Sequence, residues 1–116
     1  MTVSFKGVGE QVLTFASNST TPAAAGKPVK MSGNGEVTVC AAGDRLCGVA
    51  LTVSDGLAAV QTGGVITIGY TGTAPSVGYA QLAADGSSGV KTVASGGAVY
   101  LVLAVNSTAA TVTFIL

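Results

Sequence analysis

The two cysteines are the residues in this 116-residue sequence whose type and spacing most readily suggest chemistry. The sequence contains no histidine, so Cys40 and Cys47 lack the imidazole partners of a typical tetrahedral metal site. If Gly43 and Asp44 form a two-residue turn, the cysteines face each other across a hairpin, about 5.5 Å apart at Cα, which permits a disulfide. Three interpretations stay open: reduced thiols packed in the core, a disulfide formed after release from the cell, and a redox pair.

The acidic residues fit turn formation better than catalysis. Asp44, Asp55 and Asp85 each lie beside a glycine, and Asp and Gly are the residues that tight turns favour. Neither these aspartates nor Glu10 and Glu36 suggest the paired carboxylates of a hydrolase or the ligand spacing of a calcium loop. The glycines match no phosphate-binding pattern. We therefore predict no catalytic residue, no cofactor-binding residue and no metal ligand, and expect a protein without enzymatic activity.

The low charge of the chain restricts its partners. Five Lys and Arg balance five Asp and Glu, and charged residues make up 9% of the sequence, against about 25% in an average domain. This composition gives no basic surface for nucleic acid, and near-zero net charge favours association. We expect other copies of the chain, or a partner, to cover part of the surface.

Membrane insertion and secretion are not expected. The longest apolar run covers eight residues, 98–105, and a spanning helix needs about 20. The first residues lack the cationic stretch and apolar core of a signal peptide. We expect synthesis in a cytoplasm and no contact with a membrane.

Turn residues recur about every ten positions and predict an all-β fold, a small distorted barrel or sandwich of short antiparallel strands with little or no helix. Asn34-Gly35, Asp55-Gly56 and Asp85-Gly86 are predicted hairpin turns. Tyrosine 70, 79 and 100 are expected to pack in the core or an interface. The predicted strands are 3–8, 11–16, 28–32, 36–41, 46–53, 57–62, 65–70, 78–83, 90–94, 98–105 and 110–116.

The last two predicted strands have distinct patterns. Residues 98–105 are apolar on both faces of the pleat, so we expect a central strand covered on both sides. In the final strand Val112, Phe114 and Leu116 share one face, and a strand that reaches the last residue predicts a C-terminus held in the sheet.

The first part of the chain differs from the rest. Within a single domain of residues 1–116, residues 1–20 are predicted to be an N-terminal arm, or a strand with a polar loop, beside a β core of residues 26–116. Phe5 and Phe15, two of the three phenylalanines, lie here. Such a segment can add a strand to a neighbouring chain or pair within its own sheet, and both interpretations stay open. Val3, Phe5 and Val8 are the predicted contacts with a partner or another copy.

Residues 26–116 resemble the capsid cement, or head decoration, proteins of tailed bacteriophages. The order and spacing of several short phrases carry the resemblance. They are AAGDRLCGVAL at 41–51, DGLAAVQ at 55–61, GVITI at 64–68, YTGTAPSVGY at 70–79, LAADGSSGVK at 82–91 and VTFIL at 112–116.

The resemblance implies a structural role. Members of this family are small β proteins that bind the outside of an expanded phage head, often as trimers, and hold capsid subunits against the pressure of packaged DNA. It implies the major capsid protein and the chain itself as partners, a location on the head exterior, and a phage or prophage gene. It transfers no catalytic or capsid-contact residue. A tail, fibre or surface module that binds a host glycan or another virion protein is the second interpretation.

Overall fold

The computed structural model describes residues 10–116, and every helix or strand in this part is a β-strand. The ten strands form two small closed barrels, so the all-β prediction is confirmed. The strands are β1 (Gln11–Ser17), β2 (Pro28–Gly33), β3 (Glu36–Val39), β4 (Gly48–Ser54), β5 (Leu57–Gly63), β6 (Val65–Thr71), β7 (Gly78–Ala84), β8 (Val90–Thr92), β9 (Ala98–Asn106) and β10 (Thr111–Ile115).

The first five strands close in the order β1-β3-β2-β4-β5. β1 and β3 are parallel, and the other neighbouring pairs are antiparallel. Asp55 and Gly56 form the β4–β5 turn with positive φ angles of 53° and 74°, a conformation that matches the twist of the strands and favours Asp-Gly. Of the two interpretations of the N-terminal segment, residues 11–17 follow the second, because β1 pairs with β5 and β3 of its own chain.

The second barrel repeats the topology of the first. Its strands close in the order β10-β6-β8-β7-β9, which is the same cyclic order once β6 is counted as the first strand. β6 and β8 are parallel, like β1 and β3, and the other neighbouring pairs are antiparallel. The chain therefore contains two copies of one five-stranded fold.

A β-bulge at the same place in each barrel aligns the two copies. Leu51 is the extra residue of β4 opposite residues 59–60 of β5. Leu103 is the extra residue of β9 opposite residues 113–114 of β10. On this alignment Leu13 and Val60 correspond to residues 66 and 114, so sites in one barrel can be compared with sites in the other.

Each barrel encloses its own apolar core, and the second core has larger side chains. At aligned positions Val60 corresponds to Phe114, and Ala58 corresponds to Val112. The ring of Tyr100 packs on Phe114 with the centroids 4.9 Å apart. The first core contains Ala23, Val29, Val37, Ala50, Ala58 and Val60; the second contains Ile66, Ile68, Leu82, Ala84, Val90, Val102, Val112 and Phe114.

Side chains of the first barrel complete the second core. Cys40, Leu46 and Val49 belong to the same buried cluster as the interior of the second barrel, and each is no more than 5% exposed. Because Cys40 follows β3, Leu46 precedes β4 and Val49 lies at its start, the segment from β3 to β4 fixes the position of one barrel against the other.

Backbone hydrogen bonds hold the same junction. The Gly43 N–H donates to the Ala84 carbonyl at 2.8 Å, and the Ala84 N–H donates to the Asp44 carbonyl at 2.9 Å. The loop between β3 and β4 therefore pairs with the end of β7, in addition to filling the second core.

The predicted strands from residue 11 onward are all present, with ends that differ by a few residues. Predicted strand 3–8 lies outside the described residues. The Leu116 N–H donates to the Gly64 carbonyl at 2.9 Å, so the C-terminus is held in the sheet as expected. β9 is central, between β7 and β10, but the expectation of cover on both faces is wrong for the single chain, because Val99 is 63% exposed.

Replacement of Phe114 by alanine is expected to lower the free energy of unfolding by about 3–5 kcal/mol, because it leaves a cavity in the larger core. Urea denaturation followed by circular dichroism measures the change. Tyr79→Ala, at a side chain that is 80% exposed, is the control and should change stability by about 0.5 kcal/mol or less. Equal effects of the two substitutions would contradict the assignment of Phe114 to the core.

Candidate functional site

The predicted contact residues Val3, Phe5 and Val8 lie outside the described residues. The segment that carries them joins the fold at Glu10, whose Cα lies so close to Gly64 that a Cβ there would come within 2.8 Å of it. Gly64 also has a φ of +85°, which favours glycine. Glu10 therefore lies at the connection between β5 and β6, where the two barrels meet.

Cys40 and Cys47 do not face each other across a hairpin. β3 and β4 are not neighbours, because β2 lies between them. The Cys40 N–H donates to the Pro28 carbonyl and the Cys47 N–H donates to the Val29 carbonyl, so the two cysteines flank β2. Two strand spacings amount to about 10 Å, beyond the Cα separation that a disulfide spans.

The two thiols also belong to different cores. Cys40 lies in the second core, and Cys47 packs against the first. Both are free cysteines. Burial raises the pKa of the Cys40 thiol to about 12, and burial also raises the pKa of Cys47. Because the thiolate is the reactive form, this structure supports the interpretation of the cysteines as reduced core thiols.

Asp85 lies in an open cleft of about 280 Å³ beside the loop from β7 to β8. Its carboxylate accepts hydrogen bonds from the N–H groups of Ser87 and Gly89, at 2.7 and 3.2 Å, and from the Thr71 hydroxyl at 3.4 Å. These bonds close the loop, as expected for an aspartate beside a glycine. Residues 10–116 contain no group of three or more Cys, Asp or Glu side chains that could hold a metal ion.

Asp44 stabilises the loop between β3 and β4, which packs against the second barrel. Its carboxylate forms an ion pair with Lys30 of β2 and accepts a hydrogen bond from the Ala41 N–H at 2.9 Å. The hydrogen bond from Lys30 is the main cause that holds the pKa of Asp44 below its usual value. At the far end of β2, Glu36 accepts hydrogen bonds from Ser32 and Asn18, which lower its pKa.

Charged side chains are confined to a small part of the sheet surface. Among the ten described strands only β2, β3 and β8 carry one, namely Lys30, Glu36 and Lys91. The other seven strands present uncharged outer faces, and the charged residues that remain in the described chain lie in loops or before β1. The barrels therefore offer wide surfaces from which apolar contacts can form without burying a charge.

A row of paired apolar residues lies on the outside of the second barrel. Tyr79 of β7 pairs with Leu101 of β9, Leu101 pairs with Ile115 of β10, and Ile115 pairs with Val65 of β6. Tyr79 is 80% exposed and Val99, two residues along the same face of β9, is 63% exposed. We call Tyr79, Val99, Leu101 and Ile115 the outer stripe.

Comparison of the chain with protein-family models, with curated proteins and with solved structures finds no match. Residues 10–116 contain no helix long and apolar enough to cross a membrane.

Tyr70 and Tyr100 pack against the second core as expected, whereas Tyr79 is 80% exposed. Sequence reasoning did not single out the outer stripe. The apolar character of 98–105 on both faces was the available signal. A strand that is apolar on both faces needs protein packed against both faces. Within one chain only the face toward the barrel interior is packed.

The thiols should react slowly with Ellman's reagent at pH 8 in the folded protein and rapidly in guanidinium chloride, since folding buries Cys40, partly buries Cys47 and raises the pKa of both. Mass spectrometry after air oxidation should show two free thiols in the folded monomer. An intramolecular disulfide in the folded monomer would contradict the separation of Cys40 and Cys47 by β2.

The Lys30–Asp44 pair should make stability depend on pH in the acid range. A depressed folded-state pKa contributes stability above the unfolded value of about 3.9, and this contribution decreases as the pH falls through the lower, folded value. Asp44→Asn should therefore have a lower Tm than the wild type at neutral pH and approach it as the pH falls below the folded-state pKa of Asp44. Asp55→Asn, in an exposed turn, is the control; a pH-independent difference for Asp44→Asn would refute the assignment.

Proposed function

We propose that this protein is a non-enzymatic structural component of a tailed-phage head. It binds the outside of the expanded capsid and stabilises the shell against the internal pressure of DNA. Its partners are the major capsid protein and other copies of itself, as a homotrimer. It is synthesised in the cytoplasm of the bacterial host.

The distribution of charge is the observation that supports this proposal most strongly. Seven of the ten described strands carry no charged side chain, and their exposed residues include Leu57, Tyr79 and Val99. Such a surface suits contacts made by apolar packing and backbone hydrogen bonds with a protein partner. The resemblance of residues 26–116 to head decoration proteins supplies the identity of that partner.

The proposed action is a shift in equilibrium. A protein that binds the expanded shell but not its immature form stabilises the expanded form in proportion to the logarithm of its concentration over its dissociation constant. A capsid lattice repeats one binding site many times, and a trimer engages several sites together, so moderate affinity for each site gives high avidity. The two joined barrels provide a rigid body that transmits force between the capsid subunits it contacts.

Co-sedimentation with shells of the cognate major capsid protein tests the proposal. Purified protein should bind expanded shells to saturation and leave unexpanded shells bare, and the saturation level gives the number of copies for each shell. Absence of binding to either form would refute the proposal. Binding to a glycan array in place of shells would favour the tail or fibre interpretation.

The combined variant Val3→Ser, Phe5→Ser, Val8→Ser tests the predicted contact residues. We expect at least about a tenfold weaker affinity for expanded shells, since about 1.4 kcal/mol of lost apolar contact gives that factor. Ala109→Ser, an exposed site in the β9–β10 turn, is the matched control and should bind as the wild type does. Unchanged shell binding by the combined variant would exclude these three residues as contacts.

A further inference from the structure

The two barrels have the same topology, yet corresponding faces differ in exposure. Val49 of β4 and Gln61 of β5 in the first barrel correspond to Leu101 of β9 and Ile115 of β10 in the second. Val49 and Gln61 are 2% and 5% exposed, because this side of the first barrel meets the second barrel. Their counterparts Leu101 and Ile115 are half-buried and 39% exposed. The outer stripe thus occupies the place that is covered by a barrel in the other copy of the fold.

The interiors of the two barrels show the converse difference. Ile66 and Ile68 of β6 are 8% and 7% exposed, in the core that residues from the first barrel complete. Their counterparts on β1 are Leu13 and Phe15. Leu13 is 46% exposed and Phe15 is half-buried. The first barrel therefore has an incompletely covered core at the position where the second barrel receives its neighbour.

From these two differences we propose that copies of this chain associate head to tail. The outer stripe of one copy packs against the first barrel of the next copy around Leu13 and Phe15, and so repeats the contact that joins the two barrels within one chain. The occupant is a second copy because the structure already contains this contact between two barrels of one topology. The strands β1, β7, β9 and β10 that form the two surfaces carry no charged residue, and Glu36, opposite Ala16 of β1, is hydrogen-bonded to Ser32 and Asn18.

The size of the stripe sets the strength of the contact. It crosses three strands about 4.8 Å apart and continues along β9, which gives an area on the order of 400 Å². A standard interface buries about 800 Å² on each partner. In a head-to-tail arrangement each copy uses two such surfaces, and the arrangement closes into a ring if the rotation between copies permits it. A single contact falls below that size, so we expect weak association for one contact and stronger association in a closed ring.

Two single substitutions separate the two surfaces. Val99→Lys blocks the outer stripe, and Leu13→Lys blocks the receiving surface. Both residues are exposed, so neither variant should lose its fold, and circular dichroism verifies this. Leu57→Lys, at a leucine that is 52% exposed on another face, is the control. Sedimentation velocity over about 1 µM to about 1 mM protein, without shells, gives the mass of each species.

The wild type and Leu57→Lys should form species heavier than the monomer. Val99→Lys and Leu13→Lys should each remain monomeric at concentrations at least about tenfold above the wild-type midpoint. An equimolar mixture of the two variants should form a dimer and nothing larger, because one intact stripe meets one intact receiving surface.

Three results would overturn the proposal. They are a wild type that stays monomeric to about 1 mM, a Leu13→Lys variant that associates as the wild type does, and a mixture that forms no dimer. The second result would indicate a symmetric contact of stripe with stripe. The sedimentation experiment contains no capsid shells, so its outcome is independent of the shell-binding test. Either the proposed function or this inference can therefore fail while the other holds.

Discussion

The burial of Cys40, Leu46 and Val49 in the core of the second barrel is the contact on which the rest of the structure depends. A single five-stranded barrel of about 50 residues encloses a small core, and domains of that size are marginally stable. The first core is small in this sense, since three of its six members are alanines. By sharing side chains across the junction, the two barrels form one larger body.

The same junction explains where the charges and the polar pairs lie. The loop from β3 to β4 must hold its apolar side chains in the second barrel, and the Lys30–Asp44 pair and the backbone bonds to Ala84 fix it there. Among the described strands only β2, β3 and β8 carry a charged residue, and the strands of the outer stripe, β7, β9 and β10, carry none. Covering a surface of this kind with protein buries few charges, as the proposed shell-binding role requires.

The strands could be predicted from local turn residues, whereas the pairing between strands distant in the sequence could not. Asp55-Gly56 and Asn34-Gly35 mark turns because few other residues adopt the required backbone conformation, and both turns are present. The cysteine geometry was wrong because β2 lies between two strands that follow each other directly in the sequence. The duplication was missed because corresponding core residues differ, as Ala58 and Val112 do, while topology alone is repeated. For the outer stripe, the sequence indicated only that the outer face of residues 98–105 needs a partner surface. Periodicity does not show which strands share an outer face.

The thermal stability of expanded shells, with and without bound protein, tests the central claim most directly. The account predicts that the temperature at which cognate expanded shells lose their integrity in calorimetry increases with occupancy and reaches a plateau when the sites are full. The combined variant of residues 3, 5 and 8 should shift this curve to higher protein concentration. Shells that bind the protein to saturation and still lose their integrity at the unaltered temperature would contradict a stabilising role.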